Sequence, residues 1–339
     1  MTQLVETLPA PSPEVVRVIE EGRALPVLDL GAFIAGEPGA ELQLAADIRL
    51  IQETLGFYSI VNFGFDPALI EQAYDQNRKL FALPEEARRP YEFQGHMQGY
   101  WPMQSIVAVR PGYEGESEQG SQLGGWTFLR EREADDPKVV SGMRHRAMNK
   151  WPNPELLPDY RPIVSKYHSE MVNLGLKLIE VYALSLDLPR DYFAKDFDKL
   201  EWYSRNNFMK KTAANAVTPH SDHSFLTLLP ISPVPGLQVR TPDGNWINAA
   251  YTPEALIVNT GEWLNQLTNG RYLATPHRVE APTEDRISMP VFINPNDEAV
   301  NDPVPGAVPP GEARKYPPRG WHEFFLSYID GYTQAVMKR

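Results

Sequence analysis

The chain has 339 residues, 32 Lys and Arg against 44 Asp and Glu, and a formal net charge of −12. An acidic balance of that size argues against a general binder of nucleic acid or of anionic membranes. The absence of cysteine excludes disulfides, cysteine-ligated zinc and thiol catalysis, and fits a reducing cytoplasm.

Residues 1–22 are polar, with Pro9, Pro11 and Pro13, and read as a loose arm with a short helix. They carry no basic segment followed by an apolar run, so no secretory signal is expected. No apolar run approaches the roughly 20 residues that span a bilayer. The run Leu25-Pro26-Val27-Leu28-Asp29-Leu30 suits a first strand, Ala45 to Leu55 an amphipathic helix, and Gly56 to Phe63 a second strand rich in aromatic and β-branched residues. Pro67 to Leu83 is helical by period, and Pro84-Glu85-Glu86 opens a further turn with proline and acids at its start.

Residues 93–125 are Gly-rich and lack a long periodic segment, so they read as an irregular stretch of the kind kept for function. Tyr100, Trp101, Met103, Arg110, Trp126 and Phe128 lie in or beside it, and residues 99–130 are expected to form the mobile side of a substrate pocket. The alternative is that the aromatic residues pack this stretch onto the core. Arg110 and Arg130 either anchor a substrate carboxylate or are solvated on the surface.

Pro162 to Leu186 restores a long helix, and from Trp202 short strands alternate with turns. Thr241-Pro242-Asp243-Gly244-Asn245 predicts a hairpin between Leu237-Gln238-Val239 and Trp246-Ile247. Residues 302–319 are Pro-rich, and Trp321 to Val336 suits a closing helix. Helices early and strands late indicate an α+β protein whose catalytic core is a double-stranded β-helix, or jelly roll, flanked by helices. The expected divisions are an arm at 1–22, an accessory region at 23–150, the core with its long helix at 151–300, and a Pro-rich loop and helix at 301–339.

Within that core lies His220-Ser221-Asp222, with His277 far downstream. Alternate residues of a strand share a face, so His220 and Asp222 point one way while Ser221 and His223 point the other. Two imidazoles and a carboxylate are the ligands of a facial Fe(II) site, which leaves positions open for cosubstrate and dioxygen. His96, His145, His168 and His322 have no such spacing. His223 belongs either behind the ligands or at the mouth of the substrate pocket.

The stretch Asn206 to Pro295 resembles the isopenicillin N synthase-like family of Fe(II)/2-oxoglutarate-dependent oxygenases. Pro219-His220-Ser221-Asp222 with Leu226-Thr227-Leu228-Leu229 is similar to the first ligand strand. Gly236 to Val239, Val258-Asn259-Thr260-Gly261-Glu262, Asn269-Gly270-Arg271-Tyr272 and His277-Arg278-Val279 match the segments that follow, and Arg286-Ile287-Ser288 the cosubstrate strand. Pro26 to Leu30 and Gly56 to Gly64 resemble the accessory region. The resemblance implies a small-molecule substrate oxidised at an unactivated C–H bond by hydroxylation, desaturation or ring formation. Fe(II), 2-oxoglutarate and dioxygen are used, and succinate and CO2 are formed.

It also implies that Arg286 and Ser288 bind the distal carboxylate of 2-oxoglutarate, beside Asn207. Independently, a guanidinium makes strong bidentate bonds to a carboxylate, and i, i+2 residues share a strand face. The chain departs from the family at Met209, where a tyrosine usually contacts the cosubstrate. A thioether donates no hydrogen bond. Lys210 either takes that role or faces solvent. Two alternatives remain: an Fe(II) oxidase of the same fold that does not use 2-oxoglutarate, and a non-catalytic small-molecule receptor.

Overall fold

The computed structural model describes residues 7–106, 121–211, 217–252 and 254–337. Thirteen strands are described among them: β1 (Val27–Asp29), β2 (Phe57–Val61), β3 (Gly99–Ile106), β4 (Ser121–Leu129), β5 (Glu201–Met209), β6 (Val217–His220), β7 (Leu226–Pro230), β8 (Leu237–Arg240), β9 (Trp246–Asn248), β10 (Leu256–Thr260), β11 (His277–Val279), β12 (Arg286–Ser288) and β13 (Val291–Asn294). They form two sheets. The larger runs β1-β2-β10-β7-β13-β5-β4-β3, with β12 also paired to β5; the smaller runs β6-β11-β8-β9.

Residue alternation divides the large sheet into two faces. On β10, Leu256 and Val258 pack toward the helices, while Ile257 joins the apolar cluster between the sheets. On β7, Leu226 and Leu228 face the helices, and Thr227 and Leu229 face the small sheet's side. The helical face rests on the helix Tyr160–Ser185, whose buried Val164, Tyr167, Met171, Leu174, Leu178 and Tyr182 recur at three- and four-residue steps. Pro162 falls in its first turn, where the missing N–H has no partner to lose. Burial of each large apolar side chain in this stripe contributes roughly 1.5–3 kcal/mol. The helices Ala40–Thr54 and Ala68–Ala82 pack against the same long helix. Among the described residues no helix is long and apolar enough to cross a membrane.

Where it is described, the stretch read as irregular is instead mostly an antiparallel ribbon. β3 pairs with β4, and β4 pairs along its length with β5, from Leu123 opposite Met209 to Leu129 opposite Tyr203. Gly124 and Gly125, part of the composition that suggested a loop, serve close strand approach. A Cβ on Gly125 would lie 2.7 Å from the Asn206 carbonyl oxygen, so any side chain there would force the strands apart. β1 to β4, from the expected accessory region, thus share one sheet with strands of the expected core. Arg110 lies outside the described residues. The hairpin β8–β9 closes through Thr241 to Asn245, and the closing helix spans Trp321–Met337.

Candidate active site

A cavity of about 150 Å³ opens between the two sheets. Its wall is the alternation of the strands made visible: Tyr203, Arg205, Asn207 and Met209 from β5, Arg286 and Ser288 from β12, Thr227 and Leu229 from β7, and Phe57 from β2. The small sheet adds Val217, His220, Leu237, His277 and Val279.

His220 ends β6 and is in register with His277 on β11, and their ring centroids are 4.2 Å apart. Asp222 follows in the loop after β6. Its Oδ1 lies 3.9 Å from Nε2 of His220 and 3.7 Å from Nε2 of His277. Donors held about 2.1 Å from a common ion are at most roughly 4.2 Å apart, so these separations fit one small cation. Each histidine holds its other nitrogen, Nδ1, against a backbone carbonyl, Thr218 at 2.9 Å for His220 and Thr275 at 3.2 Å for His277. Those contacts protonate Nδ1 and leave Nε2 as the lone-pair donor.

Asp222 is buried, which by itself raises its pKa; the His277 and His220 imidazoles and hydrogen bonds from Asn259 and Thr227 outweigh burial and hold it below the usual carboxylate range. Both of those hydrogen bonds reach Oδ2, at 2.8 Å from Asn259 Nδ2 and 2.7 Å from Thr227 Oγ1. Oδ1 is left facing the imidazoles. The loop is fixed from behind by the start of the short helix Glu262–Leu267, where the Glu262 N–H donates to the Asp222 carbonyl at 2.7 Å. Gly261 permits this approach, since a Cβ there would sit 2.0 Å from the Ser224 carbonyl oxygen.

At the other end of the wall, Arg286 is buried and in register with Met209, and Ser288 is in register with Asn207. The Arg286 guanidinium donates to the Val234 carbonyl at 3.1 Å and to the Met209 sulfur at 3.6 Å, and no carboxylate among the described residues pairs with it. Burial works against its charge. Asn207 Nδ2 reaches Ser288 Oγ at 3.4 Å, and its buried Oδ1 has no hydrogen-bond partner among the described residues. A buried cation that no carboxylate among the described residues neutralises, opening on this cavity, fits a ligand carboxylate. Lys210 is not part of this wall; it pairs with Asp285 at 2.7 Å on the surface.

The expected substrate residues are placed differently. Tyr100, Trp126 and Phe128 are buried on the helical side of the sheet, where Trp126 donates to the Lys150 carbonyl and Phe128 packs on Trp151 and Tyr160. Met103 is absent from the cavity wall, and Arg130 donates to the Lys199 carbonyl at 2.8 Å. His223 is buried and not part of the cavity wall; its ring packs among Tyr203, Phe292, Trp321, Phe325 and Tyr328. The reason is parity. Once Asn207 faces inward, β5 turns its odd-numbered residues to the cavity, and the pairing with β4 turns Leu123 inward and Trp126 and Phe128 outward. Of the aromatic residues read from this stretch, Trp101 reaches the wall. Arg205, Tyr203, Tyr328 and Ile329 join it and were missed. Counting back by two from Asn207 would have exposed Arg205 and Tyr203; nothing local marks Tyr328 and Ile329, which arrive on the closing helix.

Residues 203–295 match the family model of the 2OG-Fe(II) oxygenase superfamily, and residues 25–154 match that of the non-haem dioxygenase in morphine synthesis N-terminal region. Among curated relatives, Jasmonate-induced oxygenase 2 of Arabidopsis thaliana is 28% identical over 89% of this chain and 78% of its own length. Flavonol synthase/flavanone 3-hydroxylase of Matthiola incana is 28% identical over 90% of this chain and 97% of its own. Among solved structures, full-length Neurospora crassa T7H in complex with alpha-KG superposes with a TM-score of 0.78 at 22% identity, covering 91% of this chain and 97% of that one. JOX2 in complex with 2OG, Fe and JA superposes with a TM-score of 0.73 at 24% identity, covering 95% of each. At these identities the structural likeness establishes the shared jelly-roll fold.

Proposed function

We propose, for a chain that belongs to the 2OG-Fe(II) oxygenase superfamily, that His220, Asp222 and His277 hold the iron and that Arg286, Ser288 and Asn207 hold 2-oxoglutarate. The enzyme is a 2-oxoglutarate-dependent dioxygenase that oxidises a C–H bond of a small-molecule metabolite. The observation that carries the residue assignment is the opening of three convergent metal donors and a buried, carboxylate-free Arg286 onto one cavity.

Iron with 2-oxoglutarate and dioxygen supplies the oxidising equivalents, with succinate and CO2 released. The chain's own residues do the rest. The backbone carbonyls of Thr218 and Thr275 set the histidine tautomers, and Asn259 and Thr227 turn one Asp222 oxygen toward the metal. Three protein ligands leave the remaining positions for cosubstrate and dioxygen. Arg286 and Ser288 would hold the far carboxylate of 2-oxoglutarate at the β12 end of the wall. Met209 replaces a hydroxyl donor with a sulfur that accepts weakly from Arg286, so it steers the guanidinium and leaves the carboxylate to Arg286 and Ser288. The apolar side chains Phe57, Leu229, Leu237 and Val279 keep bulk water from this region. Flavonol synthase/flavanone 3-hydroxylase is named for its action on small metabolites, which supports a small organic substrate here.

The test is anaerobic absorption spectroscopy of the protein with Fe(II), with and without 2-oxoglutarate. A visible charge-transfer band that needs both, vanishes in His220→Ala and weakens in Arg286→Ala is the expected result. Iron binding with no such band, and oxygen uptake without succinate, would overturn the cosubstrate assignment.

A further inference from the structure

We propose that the substrate is a small organic acid whose carboxylate docks on Arg205, at the end of the cavity away from Arg286. The inference rests on the oxygenase reading and names the substrate class of that same site.

β5 carries the argument. Its inward residues run Met209, Asn207, Arg205 and Tyr203 along one face. Met209 and Asn207 stand opposite Arg286 and Ser288, the cosubstrate pair. Arg205 is four residues back from Met209, roughly 14 Å along a strand. A dicarboxylate held at Arg286 and turned toward the metal ligands leaves the Arg205 end of the cavity for the second reactant.

Arg205 is placed in that wall by a fixed support. Trp101 is buried, its indole N–H donates to the Met97 carbonyl at 2.8 Å, and Phe93 stacks on it with centroids 3.9 Å apart and planes 8° from parallel. The Arg205 guanidinium lies over the same indole, 4.8 Å from the ring centroid. Stacking presents the planar fork of an arginine in a preset orientation, the geometry that pairs bidentately with a carboxylate. Phe292, in register with Tyr203, and Met97 and Ile329 add apolar surface to the wall. A ligand that covers them also strips water from the guanidinium, and an anionic group on the ligand offsets that loss.

The apolar body of such an acid lies across Trp101 and Phe292, and the carbon presented to the metal ligands is remote from the carboxylate.

The experiment is isothermal titration of the anaerobic Fe(II)·2-oxoglutarate protein with matched pairs of alkyl and aryl carboxylic acids and their carboxamides. Acids are expected to bind about tenfold or more tighter than their amides, the worth of a charge-assisted bond. Arg205→Gln is expected to bring the two within about threefold, and Arg205→Lys to keep part of the preference, which a purely structural role would not predict. Amides that bind as well as acids, no binding by either, or a preference undiminished in Arg205→Gln would overturn the proposal. The charge-transfer band of the starting complex separates the two levels: band present with no acid preference overturns this inference alone, whereas an absent band removes the oxygenase reading and this inference with it.

Discussion

Asn259 donates its side-chain amide to Oδ2 of Asp222 at 2.8 Å, on the oxygen opposite the one that faces His220 and His277. With Thr227 on the same oxygen, the carboxylate can rotate only by breaking two hydrogen bonds. Asn259 therefore aims a ligand it does not replace. Asn259→Leu is expected to weaken Fe(II) affinity about 10–100-fold, the usual cost of removing an outer partner. Equilibrium dialysis of Fe(II), or of Mn(II) in its place, measures it. Unchanged metal affinity would show that the amide contributes nothing to ligand orientation.

Arg286 is held on two sides, by the Val234 carbonyl and the Met209 sulfur, before any ligand arrives. Arg286→Gln is expected to raise the half-saturating 2-oxoglutarate concentration by about 10–100-fold, the worth of a charge-assisted hydrogen bond to an anion. Metal affinity should be unchanged, because Arg286 is not among the clustered metal donors. Met209→Tyr tests the departure from the family pattern. If a phenol adds a donor to the bound carboxylate, the 2-oxoglutarate requirement falls; a rise would show instead that the sulfur is required to seat the guanidinium.

Much of this site was legible because its chemistry is compressed into short strings. His220 and Asp222 are two apart where β6 gives way to a loop, and Arg286 and Ser288 are two apart on β12, where strand alternation gives them a shared face. What stayed hidden depends on pairing. A Gly-rich stretch with no periodicity reads as a loop, yet Gly125 is small so that β4 can lie against β5. The faces of Trp126 and Phe128 were undetermined until the register of that pair was known, because a slip by one residue exchanges the two sides of a strand. Tyr328 and Ile329 enter the cavity from a helix that follows a long Pro-rich loop, and no local pattern announces such a return.

The N-terminal end of β5 is anchored by a buried ionic cluster. Arg146 Nε lies 2.9 Å from Asp297 Oδ2, Lys138 Nζ lies 2.6 Å from the same oxygen, and Arg132 pairs with Glu201. Burial alone would raise the Asp297 pKa; Arg146, His322 and Lys138 overcome it and hold the carboxyl far below its usual range. Its contribution to stability is therefore complete above the unfolded carboxylate pKa and is lost as pH falls below it. Asp297→Asn is expected to cost about 3–5 kcal/mol in urea unfolding, since it strands buried cations. The paired change Arg146→Met with Asp297→Leu should cost less than Asp297→Asn alone. A double variant as unstable as the sum of its singles would show that the two residues do not act as a pair.

His168 gives the sharpest pH prediction. Its ring lies buried in the helix Tyr160–Ser185 between Phe128 and Trp202, and neither nitrogen has a hydrogen-bond partner among the described residues. Burial pushes its pKa down to about 3 from 6.5. Between those values the unfolded chain binds a proton that the folded chain refuses, so stability falls as pH drops from about 6.5 toward 3. At pH 5 the penalty relative to pH 8 is about 2 kcal/mol. His168→Leu, close in volume and without polar atoms, removes it. The variant should match or exceed the parent at pH 8, because an unpaired buried imidazole is itself unfavourable. Its advantage should then grow by about 2 kcal/mol at pH 5, read from urea denaturation at the two pH values. An advantage that does not change with pH would mean that His168 is protonated in the folded protein, and that the cage around it is more polar than its neighbours indicate.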